Sequence, residues 1–213
     1  MPISPGLLRF LADLKVNNSR EWFAANKALY DVEKGNFDKL IDSLILSYSE
    51  FENMVGVERK HCSYRIYRDV RFSKNKEPYK TWFSASFSEG GRRSGLMDYY
   101  LHIEPGGKSF LGGGMYSPTP DQMAKYRQEV DYNGAALRKI VESPQFVSTF
   151  GKAEGEMLQK VPKGFDPTSE DAPYLRRKQL FYWKHYTDIE IQSPDFISQL
   201  MEDSKVIKPF LDF

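Results

Sequence analysis

Cysteine is almost missing from this chain: Cys62 is the only one in 213 residues. A lone thiol excludes an intrachain disulfide and a cysteine-based zinc cluster, and it fits a reducing compartment. Long apolar runs are missing as well, and none approaches the roughly 20 residues of a membrane-spanning helix. The opening stretch MPISPGLLRF lacks a charged n-region, an extended apolar core and a small-residue cleavage site, so neither a secretory signal nor a membrane segment is expected. These absences together point to a cytoplasmic protein. Charge of one sign is not in excess either: 30 Lys and Arg oppose 29 Asp and Glu, a net of +1. A generic nucleic-acid binder is usually basic overall, which counts against that class. The chain has no Gly-Lys-Ser/Thr phosphate loop and no spaced Gly-x-Gly-x-x-Gly dinucleotide pattern. It also has no internal repeat, low-complexity tract or linker.

What is present is the composition of a globular protein, 40% hydrophobic and 28% charged, in a chain long enough to bury a substantial core. Ser4 before Pro5 predicts a capped helix running through Leu14, and Ser19 caps a second through Tyr30. Apolar residues at 37, 40, 41, 44, 45 and 48 mark one face of an amphipathic helix, with Gly35-Asn36 as a kink or break. The period then changes. Phe83, Ala85 and Phe87 alternate with serines, as in a strand with one buried face. Tyr99 to Glu104 and Ser109 to Tyr116 follow across short turns, the signature of antiparallel pairing. Thr119-Pro120 and Ser143-Pro144 open further helices, Glu170 to Lys178 reads as a short one, Gln179 to His185 as a late strand, and Ser193-Pro194-Asp195 caps a final helix. The expected fold is α+β: a single domain over residues 1–213, with an antiparallel sheet of about four or more strands flanked by N-terminal and C-terminal helices.

The basic residues are concentrated. From Glu58 to Arg93 the local charge is +6, so the remainder carries −5. Within that segment, YRIYRDVRFSKNKEPYKT (64–81) holds six basic residues, four aromatics and two acids. As a strand it would bury Arg68 among Ile66, Val70 and Phe72, whereas helical spacing puts Arg65, Arg68 and Arg71 on one face. One or two helical turns are therefore expected. Three co-facial guanidiniums suit a phosphate or carboxylate, unless Asp69, Glu104 or Glu77 pairs with them in a structural network. Tyr79 and Lys80, entering the first strand, are placed to reach a site beside the arginines.

Three other features bear on chemistry. In LGGGMYSPTP (111–120), Gly113 and Gly114 permit close backbone approach, either to a ligand or to a packed neighbour. Tyr100, His102 and Glu104 share one strand face, which makes His102 a candidate hydrogen-bond donor or general acid/base. Adding the distant His185 would draw a two-histidine, one-carboxylate metal site. Finally, Arg177, in the run Leu175-Arg176-Arg177-Lys178, either favours a helix C-terminus or completes an anion pocket.

The segments NNSREWFAANKALY (17–30), YRIYRDVRFSKNKEPYKT (64–81), YYLHIEPGG (99–107), GGGMYSP (112–118), PKGF (162–165) and LRRK (175–178) resemble the bacterial and fungal family catalogued as domain of unknown function 2461. The likeness runs nearly end to end and implies one full-length domain, without assigning an activity or a cofactor. The leading expectation is a small anionic ligand, phosphate- or carboxylate-bearing, held by Arg65, Arg68, Arg71, Tyr79, Lys80, Tyr100, His102, Glu104, Gly113, Gly114 and Arg177. The alternatives are a nucleic-acid or protein interaction module using the basic face of residues 58–93, and a metal-dependent enzyme through His102, Glu104 and His185.

Overall fold

The helix starts follow the local capping chemistry. In the computed structural model, which describes residues 2–213, Ser4 Oγ accepts the Leu7 N–H at 3.0 Å and opens α1 (Pro5–Val16). Ser19 does the same for α2 (Arg20–Ala25) through the Trp22 N–H. The long amphipathic stretch is α3 (Lys27–Tyr48), which buries Phe37, Leu40, Ile41, Leu44 and Tyr48. Contrary to the sequence expectation, α3 runs unbroken through Gly35-Asn36, and the interruption falls at Asn26. Nothing packs within 4 Å of a Cβ built on Gly35, so the helix tolerates this glycine without having to bend. A single turn, α4 (Arg59–Cys62), follows.

The strands are β1 (Phe83–Phe87), β2 (Asp98–Ile103), β3 (Ser109–Met115) and β4 (Leu180–Tyr186), in the spatial order β1-β2-β3-β4. Between β3 and β4 come α5 (Pro120–Val141), α6 (Pro144–Phe150) and α7 (Ala172–Leu175), and the chain closes with α8 (Asp188–Ile191) and α9 (Phe196–Leu211). Helices flank an antiparallel four-stranded sheet, so the fold is α+β as the sequence predicts. By their contacts the residues divide into two compact units, Met1–Leu111 with His185–Met201 and Gly112–Lys184 with Glu202–Phe213.

In the first unit, β1 and β2 pair with Phe83 opposite Ile103, Ala85 opposite Leu101 and Phe87 opposite Tyr99. These odd-numbered side chains form the core against α3: Phe37 meets Phe83 at 5.2 Å, and Tyr48 meets Phe87 at 4.9 Å and Tyr99 at 4.7 Å between ring centroids. In the second unit, Phe146, Tyr182 and Phe210 pack edge to face. Gly113 and Gly114 serve this packing. A Cβ on Gly113 would meet Ile207 Cδ1 at 2.4 Å, and one on Gly114, at φ +127°, would meet the Leu180 carbonyl oxygen at 1.9 Å.

One local expectation is overturned. Tyr64 to Phe72 is not helical but irregular, with an isolated bridge at Tyr67 and bends at Ile66, Arg71 and Phe72. Ser63 bridges Ala85 and Tyr67 bridges Tyr79, while the Lys80 N–H donates to Ile66 O at 2.8 Å and the Arg68 N–H to Pro78 O at 2.9 Å. The segment is the outer limb of an irregular hairpin that continues β1 backwards. Burial of Arg68, the objection to a strand, does not arise: Ile66 is buried, whereas Arg68 lies beyond it with its guanidinium on Glu77 O and Ser73 Oγ. The backbone pairing, supplied from residues 78–84, outweighs the helical spacing of the arginines.

Candidate functional site

Two-residue alternation aligns the even-numbered residues of β1 and β2, with Ser84 opposite His102 and Ser86 opposite Tyr100. Lys80 and Trp82 lead into the same row, and Asp98 and Glu104 extend it at the two ends of β2. The sequence reading left this face to solvent, yet all five residues of β1 are buried. Aromatics from the hairpin and the neighbouring strands cover the serines. Tyr64 OH lies 3.0 Å from Ser86 Oγ, and the Tyr64 and Tyr100 rings meet edge to face at 6.0 Å.

His102 is the centre of this face. Its ring stacks between Trp82, at 5.3 Å, and Phe110, at 4.6 Å. Nε2 lies 3.1 Å from Glu104 Oε2, and Nδ1 lies 3.4 Å from Tyr100 OH. An ionised carboxylate only accepts, so Nε2 carries the proton and Nδ1 accepts from the phenol. Burial lowers the His102 pKa below its ordinary value despite Glu104, which keeps the ring neutral. Burial also pushes the Tyr100 phenol up to about 12. Tyr100, His102 and Glu104 thus form a hydrogen-bonded chain along one strand, able to move a proton between the phenol and the carboxylate. Lys15 and Lys108 flank Glu104 at 3.7 and 3.9 Å.

Lys80 sits beside this chain. Its ammonium is 5.4 Å from the centroid of the Tyr64 ring and 5.9 Å from that of Trp82, and burial followed by the Arg65 charge lowers its pKa. Among the described residues, neither Lys80 nor Arg65 has a contact ion pair or a side-chain hydrogen bond, although the Arg65 charge acts on Asp69. The Arg92 guanidinium faces the outside of Tyr64 at 5.6 Å. At the far end, burial raises the Asp98 carboxyl to about 7, offset in part by its hydrogen bond with Ser86.

Of the residues expected from sequence, Arg65, Lys80, Tyr100, His102 and Glu104 come together here, and the others lie elsewhere. Arg71 forms a two-point pair with Asp69, at 3.0 and 2.7 Å, and Arg68 approaches the Glu77 carboxylate at 3.7 Å. These two arginines adopt the ion-pair alternative. Tyr79 points away from Lys80 into the core, stacked on Phe23 at 4.0 Å, with its backbone clamped by the Asn18 side chain. Gly113, Gly114 and Arg177 belong to the second unit. Among the described residues, no three His, Cys, Asp or Glu side chains are grouped to hold a metal ion, so His102, Glu104 and His185 do not form a ligand set. Cys62 is buried with its thiol pushed up to about 11, and His61 accepts the Glu58 N–H instead. An open groove of about 700 Å³ along α3 and α4 is lined by charges already paired, Arg59 with Asp42 and Lys60 with Glu58, each at 2.9 Å.

Sequence reasoning missed Tyr64, Trp82, Ser84, Ser86, Asp98 and Phe110. For the residues of β1 and β2, carrying the two-residue period of the strands through every even position would have found them. Tyr64 and Phe110 come from the hairpin and from β3, and nothing local marks them.

A model of the family described as conserved hypothetical protein (DUF2461) matches residues 6–213. The chain therefore belongs to that family. No curated protein and no solved structure matches it.

Proposed function

We propose that this DUF2461 protein binds a small phosphate- or carboxylate-bearing ligand on the even-numbered face of β1 and β2, with Lys80 and Arg65 as the charged receivers. One observation carries the reading: the Lys80 ammonium is half-buried between two aromatic rings and beside a second cation, with no carboxylate partner among the described residues. Partial burial of the Lys80 ammonium and the nearby charge of the exposed Arg65 both disfavour its charged form, and an anion relieves both terms at once. The Tyr100–His102–Glu104 chain adjoins this position and equips the site to donate or accept a proton on whatever is bound.

The test is calorimetry and proton NMR with inorganic phosphate and citrate on the wild type and Lys80→Ala. Saturable binding that moves the His102 ring signals in the wild type, and fails to do so in the variant, is the expected result. Binding that survives Lys80→Ala unchanged, or no binding of either anion, removes the proposal.

A second reading rests on the hairpin tip. Phe72 is 95% exposed with the Arg71 guanidinium 5.8 Å from its ring, and Lys74 and Lys76 are nearby and exposed. An exposed ring among cations is the kind of element on which single-stranded nucleic acid stacks. Affinity for a short oligonucleotide that falls steeply with salt, and that is lost in Phe72→Ala but kept in Lys80→Ala, would favour this reading.

A further inference from the structure

The second unit contains its own group of cations without counter-ions. Arg127 projects from α5, and Arg176 and Arg177 follow α7. Neutral backbone carbonyls hold the forks of Arg127 and Arg177 in place: Arg127 Nε donates to Leu175 O at 2.9 Å and Nη2 to Arg177 O at 3.0 Å, and Arg177 Nη1 donates to Ala153 O at 3.0 Å. None of the three has a carboxylate partner among the described residues. The contrast with Arg138 in the same unit is direct, because that guanidinium is matched by both Asp171 and Glu170. Carboxylates are thus available to this unit, and they are spent on Arg138.

Two further observations point to a missing partner. Arg176 Nε and Arg177 Nε are the two fully buried side-chain nitrogens left without any hydrogen bond among the described residues. A buried guanidinium N–H without an acceptor is destabilising, and such groups are uncommon. Beside Arg177 lie the phenols of Tyr126 and Tyr182, 8% and 5% exposed. The Arg177 charge acts on both, and Arg127 acts on Tyr126 as well. Neither hydroxyl has a hydrogen-bond partner among the described residues, while the neighbouring Tyr174 hydroxyl is already committed to Glu142 at 2.7 Å.

We propose that the second unit holds a separate phosphoryl-binding site, in which Arg177 and Arg127, with the hydroxyls of Tyr126 and Tyr182, receive a phosphate group. Fixed guanidinium forks supply directional charge, and two phenol donors bring the set to more donors than one carboxylate accepts, which suits the oxygens of a phosphoryl group. Backbone carbonyls that orient the forks without neutralising them leave that charge for a ligand. The site does not depend on the sheet face of the first unit, and its ligand class is narrower.

The experiment follows the arginine Nε–Hε signals of the ¹⁵N-labelled full chain during titration with inorganic phosphate, with sodium chloride and acetate as controls. The expected result is saturable movement of the Arg177 signal with phosphate alone. It should persist in Lys80→Ala and require roughly tenfold more phosphate in Tyr182→Phe, a variant that removes one donor while keeping the ring. Arg177→Lys should abolish the phosphate-dependent movement of the Arg127 signal, with circular dichroism confirming that the variant is folded. The proposal is overturned by an Arg177 signal that does not move, by equal movement with chloride or acetate, by movement that disappears in Lys80→Ala, or by a response indifferent to Tyr182→Phe.

Discussion

The two ends of the hairpin at residues 63–85 have similar composition and different chemistry. At the base, Lys80 stands half-buried beside Tyr64 and Trp82 and near the exposed Arg65, and neither cation forms an ion pair among the described residues. At the tip, the exposed Arg71 is neutralised by Asp69, and the half-buried Arg68 is tied to Glu77 and Ser73. A basic cluster is therefore not one feature. Where carboxylates lie within reach, as for Arg68 and Arg71, the cations are paired; beside the Tyr64 and Trp82 rings, Lys80 is not.

The largest expected contrast is in stability. Tyr79 anchors the base through its stack on Phe23, so Tyr79→Ala should cost about 3–5 kcal/mol in urea unfolding. Phe72→Ala, at the tip, should stay within about 0.5 kcal/mol of wild type. Equal effects would erase the distinction.

The next contrast is in pH dependence, through two aspartates shifted in opposite directions. Burial raises Asp98 to about 7 from 3.8. Between those values the folded protein keeps a proton that the unfolded chain has lost, so stability falls as pH rises from about 4 to about 7 and then levels off. The loss is up to about 4 kcal/mol, and Asp98→Asn should remove it, leaving the variant more stable than wild type at alkaline pH. Chemical unfolding at pH values on either side of about 7 checks this. Asp69 behaves oppositely: the hydrogen bonds from Arg71 lower its pKa, so its contribution is present at neutral pH and is lost as acid protonates it. Asp69→Asn should therefore leave the neutral-to-alkaline profile unchanged.

Binding gives a smaller contrast. Lys80→Ala should weaken phosphate binding by roughly tenfold or more at the His102 signals, since it removes a charge-assisted contact. Arg71→Ala should leave the affinity within about twofold, because that cation is exposed and already paired. The smallest effect is spectroscopic. His102, whose pKa burial lowers, should titrate below about 6.5 and carry its proton on Nε2 in a long-range ¹H–¹⁵N spectrum. Its stability contribution is lost as pH falls below that ordinary value, because the unfolded imidazole protonates first.

Much of the fold was legible because its signals are local. Ser4-Pro5, Ser19, Thr119-Pro120 and Ser143-Pro144 each begin a helix where capping chemistry puts one. The apolar stripe of α3 and the positions of strands β1 to β3 were read correctly for the same reason, although β1 is buried on both faces and not on one. Within the candidate site, Tyr100, His102 and Glu104 could be aligned because strand residues two apart always share a face. The hairpin was misread because its pairing partners lie up to 22 residues away, as Tyr64 OH and Ser86 Oγ do. Helical spacing of three arginines carries no information about that backbone pairing.

Period, cap and turn chemistry depend on neighbours along the chain, so the sequence settles where the helices start, which residues alternate and where cations accumulate. Whether a cation is neutralised depends on which carboxylate, carbonyl or ring the folded chain brings within a few ångströms. Coulomb energy and desolvation are set by those distances and by burial, and neither can be read from spacing. That is why Arg65 and Arg71, six positions apart in one basic run, end in different surroundings, and why the arginines without carboxylate partners beside Tyr126 and Tyr182 became visible only in the tertiary structure.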